Sequence, residues 1–232
     1  MIGNQYGKGP FMKKKALVAE FIGTFAIVFI GVGAITANHM LGGKSGLIGI
    51  ALAYGLAYAA MISATAALSG GHLNPAVTVG LLAARKIDAA TAVRYIVAQC
   101  LGAMVAMFVL QLAMPSMALA AVGFGTPALG ENVTPFEGLL TEFILTFFLM
   151  FVFYGTLIDQ RAPKMGGLFV GLIVIIGFLM SSSISGAAMN PARHFGPAFI
   201  SWSFDNLWIY WVGPIAGASL AALIYNLILE RQ

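Results

Sequence analysis

Charged side chains are scarce in this sequence. Of its 232 residues only 12 are Lys or Arg and 8 are Asp or Glu, whereas 60% are hydrophobic and a further 28 are glycine. A soluble domain is about 25% charged and about 45–50% apolar with glycine included. The composition therefore indicates a membrane protein, and it excludes an enzyme with a large aqueous domain.

Cysteine and histidine are also rare. Cys100 is the only cysteine, so an intrachain disulfide and a cysteine-based metal site are both excluded. The three histidines, His39, His72 and His194, do not supply with it a convincing nucleophile and base or a set of metal ligands. We therefore expect no cofactor and no metal, and an intramembrane enzyme lacks the groups that it would need.

Long apolar windows predict the membrane topology. A spanning helix needs about 20 apolar residues, and six windows are close to that length, at about 16–38, 46–67, 88–113, 137–158, 166–184 and 206–228. Two further apolar segments, at about 75–84 and 191–202, are too short to cross, and each begins at the tripeptide Asn-Pro-Ala. The predicted fold is an all-α membrane protein with six transmembrane helices and two re-entrant half-helices.

The basic residues predict the orientation of the chain. With a cytoplasmic N-terminus, only Lys44 and Arg193 lie outside, which fits the positive-inside rule. The ten basic residues then on the cytoplasmic side are Lys8, Lys13, Lys14, Lys15, Arg85, Lys86, Arg94, Arg161, Lys164 and Arg231. We expect a multi-pass protein of the cell membrane with both termini in the cytoplasm, and the net charge of +4 requires no nucleic-acid partner.

Three motifs recur in the same order along the chain. AEFIGTF (19–25) returns as TEFILTF (141–147), SGGHLNPA (69–76) as SGAAMNPA (185–192), and YIVAQCLGA (95–103) as YWVGPIAGA (210–218). Residues 1–232 are therefore predicted to form one channel-like domain of two halves, about 16–113 and 137–228, joined by a loop at about 114–136. Because each half has three spans, the second half enters from the opposite face, which makes an inverted repeat of the kind that builds membrane pathways.

The two Asn-Pro-Ala segments predict helix starts at the membrane midplane. Asn is a favourable N-cap and Pro a favourable first helical residue. A half-helix of ten residues is about 15 Å long, half the thickness of the bilayer core. Two of them entering from opposite faces would meet with their positive ends together, which repels cations. The residues of the two motifs are Asn74, Pro75, Ala76, Asn190, Pro191 and Ala192.

The backbone before each motif is predicted to line a pore, because non-helical backbone at this depth must be buried in protein or face water. The carbonyl groups expected there belong to Gly70, Gly71, His72, Leu73, Gly186, Ala188 and Met189. Each Asn oxygen is expected to cap its own helix, at residues 76–77 and 192–193. The amide protons would then be free to donate to a passing neutral molecule.

These motifs resemble those of the aquaporins and their relatives, the major intrinsic proteins, over nearly the whole chain. The resemblance rests on AEFIGTF, TEFILTF, SGGHLNPAVT and GAAMNPARHFGPA. It implies a passive water channel in the lipid bilayer that excludes ions and protons, assembled as a homotetramer with one pore per subunit. It also implies a selectivity filter formed by Tyr54, Phe178, Ala187 and Arg193.

The filter departs from the common patterns of this family at Phe178. Water-specific members usually have His there and glycerol channels usually have Gly, so Phe178 predicts a narrow constriction unless it turns aside toward lipid or another helix. Ala198 and the pair Tyr210-Trp211 resemble the water-selective subgroup, whereas His194 matches neither subgroup. Water is the predicted substrate, and glycerol or another small neutral solute is the alternative.

Glu20 and Glu142 occupy equivalent positions of the two halves, inside apolar helices. A carboxylate there can serve a proton relay, but one in each half in the same motif favours hydrogen bonds that brace the re-entrant loops. A coupled transporter, which also uses inverted repeats and broken helices, would need an acidic cluster at the midplane. These two are the only intramembrane acids, so a channel is favoured over a transporter.

Overall fold

The structure is a computed structural model that describes residues 10–162 and 165–229. Within these residues the regular elements are helices, and there is no strand. The α-helices are α1 (Pro10–Met40), α2 (Gly46–Ser69), α3 (Pro75–Ala83), α4 (Ala89–Ala113), α5 (Ser116–Ala121), α6 (Pro135–Phe153), α7 (Gly166–Ser181), α8 (Pro191–Ser201) and α9 (Ile209–Ile224). Single π-helical turns, Tyr154–Ile158 and Tyr225–Leu229, extend α6 and α9.

Among the described residues, five helical segments are long and apolar enough to cross a membrane: Lys14–Met40, Gly46–Ser69, Ala89–Ala113, Pro135–Ile158 and Ile209–Leu229. The sixth predicted span, 166–184, is shorter in the structure. Helix α7 has 16 residues, which is about 24 Å, and residues 182–185 form turns that lead into the second re-entrant loop.

The two half-helices form where the sequence predicts them, and α3 and α8 each end one residue earlier than predicted. The segment 114–136 is not wholly a loop, because it contains α5 and a 3₁₀ turn, Gly123–Gly125. The last span begins at Ile209 instead of residue 206. Three of the basic residues used to predict the orientation, Lys8, Lys164 and Arg231, lie outside the described residues.

The helices pack as an inverted repeat. Helix α1 packs on α4 in the first half as α6 packs on α9 in the second, and α2 packs on α7 between the halves. The half-helices are exchanged, because α3 lies against α9 and α8 lies against α4. This exchange brings the N-termini of α3 and α8 together inside the protein, so neither half can form the central site alone.

Glycines set the distance between several helices. A methyl group on Gly171 of α7 would overlap the carbonyl oxygen of Gly55 on α2, and one on Gly196 of α8 would lie 2.7 Å from the carbonyl oxygen of Ala103 on α4. Small residues allow backbones to approach this closely in a membrane. The close α2–α7 and α4–α8 crossings hold the helices that surround the central site.

Gly171→Ala is expected to destabilise the protein by about 1–3 kcal/mol, the usual cost of inserting a methyl group into a packed core. At roughly 2–4 °C per kcal/mol for a chain of this size, the melting temperature measured by intrinsic fluorescence in detergent should fall by several degrees. Gly33→Ala is the matched control, because the nearest atom to a methyl group there is Leu110 Cδ2 at 3.8 Å. Equal melting temperatures for the two variants would contradict the close crossing.

Candidate pore

The two Asn-Pro-Ala motifs cap α3 and α8. Asn74 and Asn190 have extended backbones, and the following prolines occupy the first helical positions. The Asn74 Oδ1 accepts a hydrogen bond from the backbone of Ala76 at 2.8 Å. The Asn190 Oδ1 accepts from Ala192 at 3.0 Å and from Arg193 at 3.4 Å. Residue 77, predicted as a second partner of Asn74, makes no such bond to it.

The amide groups of the two asparagines tie the halves together. Asn74 Nδ2 donates to the carbonyl oxygen of Met189 at 2.8 Å, and Asn190 Nδ2 donates to that of Leu73 at 2.9 Å. Asn190 Nδ2 also donates to the Tyr58 hydroxyl at 2.8 Å. The prediction that both amides keep their protons free is therefore wrong for Asn190, because both of its protons have acceptors within the protein.

The carboxylate of Glu20 on α1 accepts hydrogen bonds from the first re-entrant loop and holds its conformation. It accepts from the Ser69 hydroxyl at 2.5 Å, from the backbone of His72 at 3.0 Å and from that of Leu73 at 2.7 Å. Gln99 Nε2 donates to it as well, at 2.7 Å. Leu73 has a φ of 49°, a left-handed conformation that costs a non-glycine residue about 1 kcal/mol or more, and these bonds hold it in place.

Glu142 repeats this arrangement in the second loop. It accepts from the Ser185 hydroxyl at 2.7 Å, from the backbone of Ala188 at 2.9 Å and from that of Met189 at 2.7 Å. Met189, like Leu73, is left-handed, with a φ of 50°. All of these partners are donors, so the geometry favours bracing over a proton relay for both carboxylates.

Six of the seven pore-lining carbonyls predicted from sequence fall into two groups. Those of Leu73 and Met189 accept the asparagine amides. Those of Gly70, Gly71, Gly186 and Ala188 accept no hydrogen bond from the described residues, so they remain available as acceptors. The remaining predicted residue, His72, is buried, and its Nδ1 lies 3.1 Å from the Thr78 hydroxyl.

The four predicted filter residues are all buried. The rings of Tyr54 and Phe178 stack with centroids 5.0 Å apart and planes at 22°. The Arg193 guanidinium carbon lies 5.0 Å from the centre of the Tyr54 ring, and Ala187 is left-handed, with a φ of 49°. The alternative that Phe178 faces lipid is not the observed arrangement.

A cavity of about 380 Å³ is lined by the filter residues Phe178 and Arg193, by Gly186 and by residues of the linking segment, including Thr126 and Pro127. Arg193 Nη1 donates to the carbonyl oxygen of Gly125 at 2.9 Å. No hydrogen bond links Arg193 Nε to any residue of the described chain. The guanidinium is therefore anchored through Nη1 to the linking segment, and its Nε is a buried donor without a partner among the described residues.

Sequence reasoning missed three residues of this site. Gly31 of α1 makes room for the Tyr54 ring, which a methyl group there would overlap. Gly125 anchors Arg193 through a carbonyl, so no side-chain pattern marks it. Tyr58 could have been found, because it follows Tyr54 by four residues and so lies on the same helix face.

Comparison with known proteins agrees with this architecture. The family model described as Major intrinsic protein matches residues 9–225. Aquaporin TIP4-4 of Zea mays is 43% identical over 225 residues, covering 94% of this chain and 88% of that protein. Aquaporin-4 of Mus musculus is 42% identical over 221 residues, covering 92% and 67%.

A solved structure has the same fold. The aquaglyceroporin from Plasmodium falciparum superposes with a TM-score of 0.84 at 26% sequence identity, covering 94% of this chain and 97% of that one. The predicted family and the predicted all-helical membrane fold are both confirmed. The chain belongs to the major intrinsic protein family and is a multi-pass membrane channel, not an enzyme.

Proposed function

We propose that the chain is a passive water channel that moves water down osmotic gradients and excludes ions and protons. The observation that carries this proposal is the filter, where the Tyr54 ring lies 5.0 Å from the Phe178 ring and 5.0 Å from the guanidinium carbon of Arg193. Two bulky rings leave little width for a polyol, while the arginine offers hydrogen-bond donors to water and repels cations.

The midplane supports the same function. The N-termini of α3 and α8 meet there, each with roughly half a positive charge, and a cation between them is repelled. Asn74 has a second amide proton without an acceptor among the described residues, and it can hold a passing water as an acceptor. A water held in this way cannot pass a proton along the file.

Reconstituted vesicles test the substrate. In stopped-flow light scattering, proteoliposomes are expected to shrink in an impermeant osmolyte much faster than empty liposomes, with a low activation energy and no dependence on an ion gradient. In glycerol they are expected to re-swell slowly, because Phe178 narrows the filter. A pH-sensitive dye inside the same vesicles should show no proton leak above that of empty liposomes.

Three outcomes would contradict the proposal. Shrinkage at the rate of empty liposomes would exclude a water channel. Rapid re-swelling in glycerol would instead support the second candidate, a channel for small neutral solutes. The structural similarity to an aquaglyceroporin favours this second candidate. Both candidates are passive, so a dependence on an ion gradient would exclude both.

We further propose a homotetramer in the cell membrane with both termini in the cytoplasm. The excess of basic residues in the predicted cytoplasmic loops supports the orientation. Exposed apolar side chains such as Val93, Phe108 and Ile176 offer faces that lipid or neighbouring subunits can cover. Chemical cross-linking in native membranes and protease access to tagged termini test these two statements separately.

A further inference from the structure

Tyr58 is buried between the filter residue Tyr54 and the central asparagine Asn190. It follows Tyr54 by one helical turn on the same face of α2, and its side chain is only 3% exposed. Its hydroxyl oxygen accepts from Asn190 Nδ2 at 2.8 Å. Helix α2 therefore places one phenol at the filter and a second beside the central asparagines.

A count of amide protons shows what the Tyr58 hydroxyl does. Asn190 has two amide protons, and Leu73 and Tyr58 accept them. Asn74 donates one proton to Met189 and has no acceptor for the other among the described residues. The two central asparagines are thus unequal, since only Asn74 keeps a proton for a passing molecule.

The inverted repeat explains this inequality. With the offset of 116 residues between the two Asn-Pro-Ala motifs, the position equivalent to Tyr58 is Val174 of α7. Val174 is buried and apolar, so it cannot accept the second proton of Asn74. The Tyr58 hydroxyl proton makes no hydrogen bond to the residues that the structure describes, so it is available to a molecule beside Asn190.

We propose that Tyr58 is a second specificity-determining residue, which forms a midplane constriction in series with the filter. Its ring narrows the pathway. Its hydroxyl oxygen accepts a hydrogen bond from Asn190 Nδ2, so that amide proton cannot donate to a passing solute. A molecule larger than water, such as a polyol, must then pass both the filter and Tyr58. This inference rests on the proposed function as a water channel.

Single and double substitutions test the series arrangement in the proteoliposome assay. Tyr58→Phe keeps the ring and frees the Asn190 proton, and Tyr58→Val also removes the ring, so both should raise water permeability on the order of 2- to 10-fold. Phe178→Gly alone should raise glycerol permeability by less than about twofold. The double variant Phe178→Gly with Tyr58→Val should raise it at least about tenfold, because both barriers are then removed.

Tyr210→Phe is the matched control for the loss of a hydroxyl. Tyr210 is fully buried in α9, stacks on His194 with centroids 4.1 Å apart, and makes no hydroxyl hydrogen bond to the described residues. Its variant should conduct water like the wild type. Melting temperatures and elution profiles of all variants verify that each is folded before the fluxes are compared.

The outcomes separate this inference from the proposed function. Wild-type vesicles that shrink no faster than empty ones would overturn the water channel itself. Fast wild-type flux with Tyr58→Phe and Tyr58→Val equal to or slower than Tyr210→Phe would overturn the role of Tyr58 alone. Full glycerol permeability in Phe178→Gly, equal to that of the double variant, would show that the filter is the single constriction and would also overturn it.

Discussion

Replacing Gly31 with alanine is expected to reduce water permeability by at least about tenfold. A methyl group on Gly31 would overlap the ring of Tyr54, and that ring already stacks on Phe178 and lies beside Arg193. If the ring yields, it moves toward the pore. Overpacking of this kind costs about 1–3 kcal/mol, and a barrier higher by 1.4 kcal/mol slows passage tenfold.

The measurement is the osmotic shrinkage rate of proteoliposomes, normalised to the amount of folded protein. Gly33→Ala is the control, because it makes the same change on the same helix where the nearest atom to a methyl group is 3.8 Å away. It should conduct like the wild type. Wild-type permeability of Gly31→Ala at an unchanged melting temperature would show that the Tyr54 ring does not depend on this contact.

Glu142→Gln is expected to lower the free energy of unfolding by about 2–3 kcal/mol. The carboxylate accepts three hydrogen bonds with its two oxygens, whereas a glutamine amide offers one oxygen and places its NH₂ against a donor. At least one buried N–H then lacks an acceptor, which costs about 1–3 kcal/mol. At roughly 2–4 °C per kcal/mol, the melting temperature should fall by about 4–12 °C.

Glu20→Gln should have an equal or larger effect, because Glu20 accepts an additional hydrogen bond from Gln99. Glu137→Gln is the control, since Glu137 is exposed and its role in capping α6 needs only one oxygen. Its melting temperature should match that of the wild type. Water selectivity of Glu142→Gln should change less than its stability, and altered selectivity at full stability would favour a role of Glu142 in conduction.

The general architecture could be predicted because membrane topology depends on local sequence. Hydrophobic length identifies spans, and the tripeptide Asn-Pro-Ala identifies a helix start whatever surrounds it, so α3 and α8 lie where expected. The ends of α7 and α9 and the helix α5 were not predicted, because they depend on how the chain turns at the membrane surface and against its neighbours. The positions of those turns are determined by tertiary packing, which a hydropathy pattern does not contain.

The Asn-Pro-Ala motif predicts the hydrogen bonds of the asparagine oxygens but not those of the asparagine amide groups. Sequence predicts that Asn74 and Asn190 cap their helices, because a cap is a contact within three residues. It does not predict that the Asn190 amide donates both of its hydrogen bonds to residues 117 and 132 positions away in the sequence. Hydrogen bonds of that range exist only after the two halves exchange their half-helices.

The sequence by itself determined the family, the inverted repeat and the two Asn-Pro-Ala motifs that begin α3 and α8. These follow from scarce charge, from three repeated motifs and from local helix signals. Only the tertiary structure decided that Phe178 stacks on Tyr54 and that Gly31 leaves room for the Tyr54 ring. It also decided that the Gly125 carbonyl anchors Arg193, and that the Tyr58 hydroxyl accepts a hydrogen bond from Asn190. The width and polarity of a pore are set by side chains from several helices, and their mutual positions depend on how those helices pack.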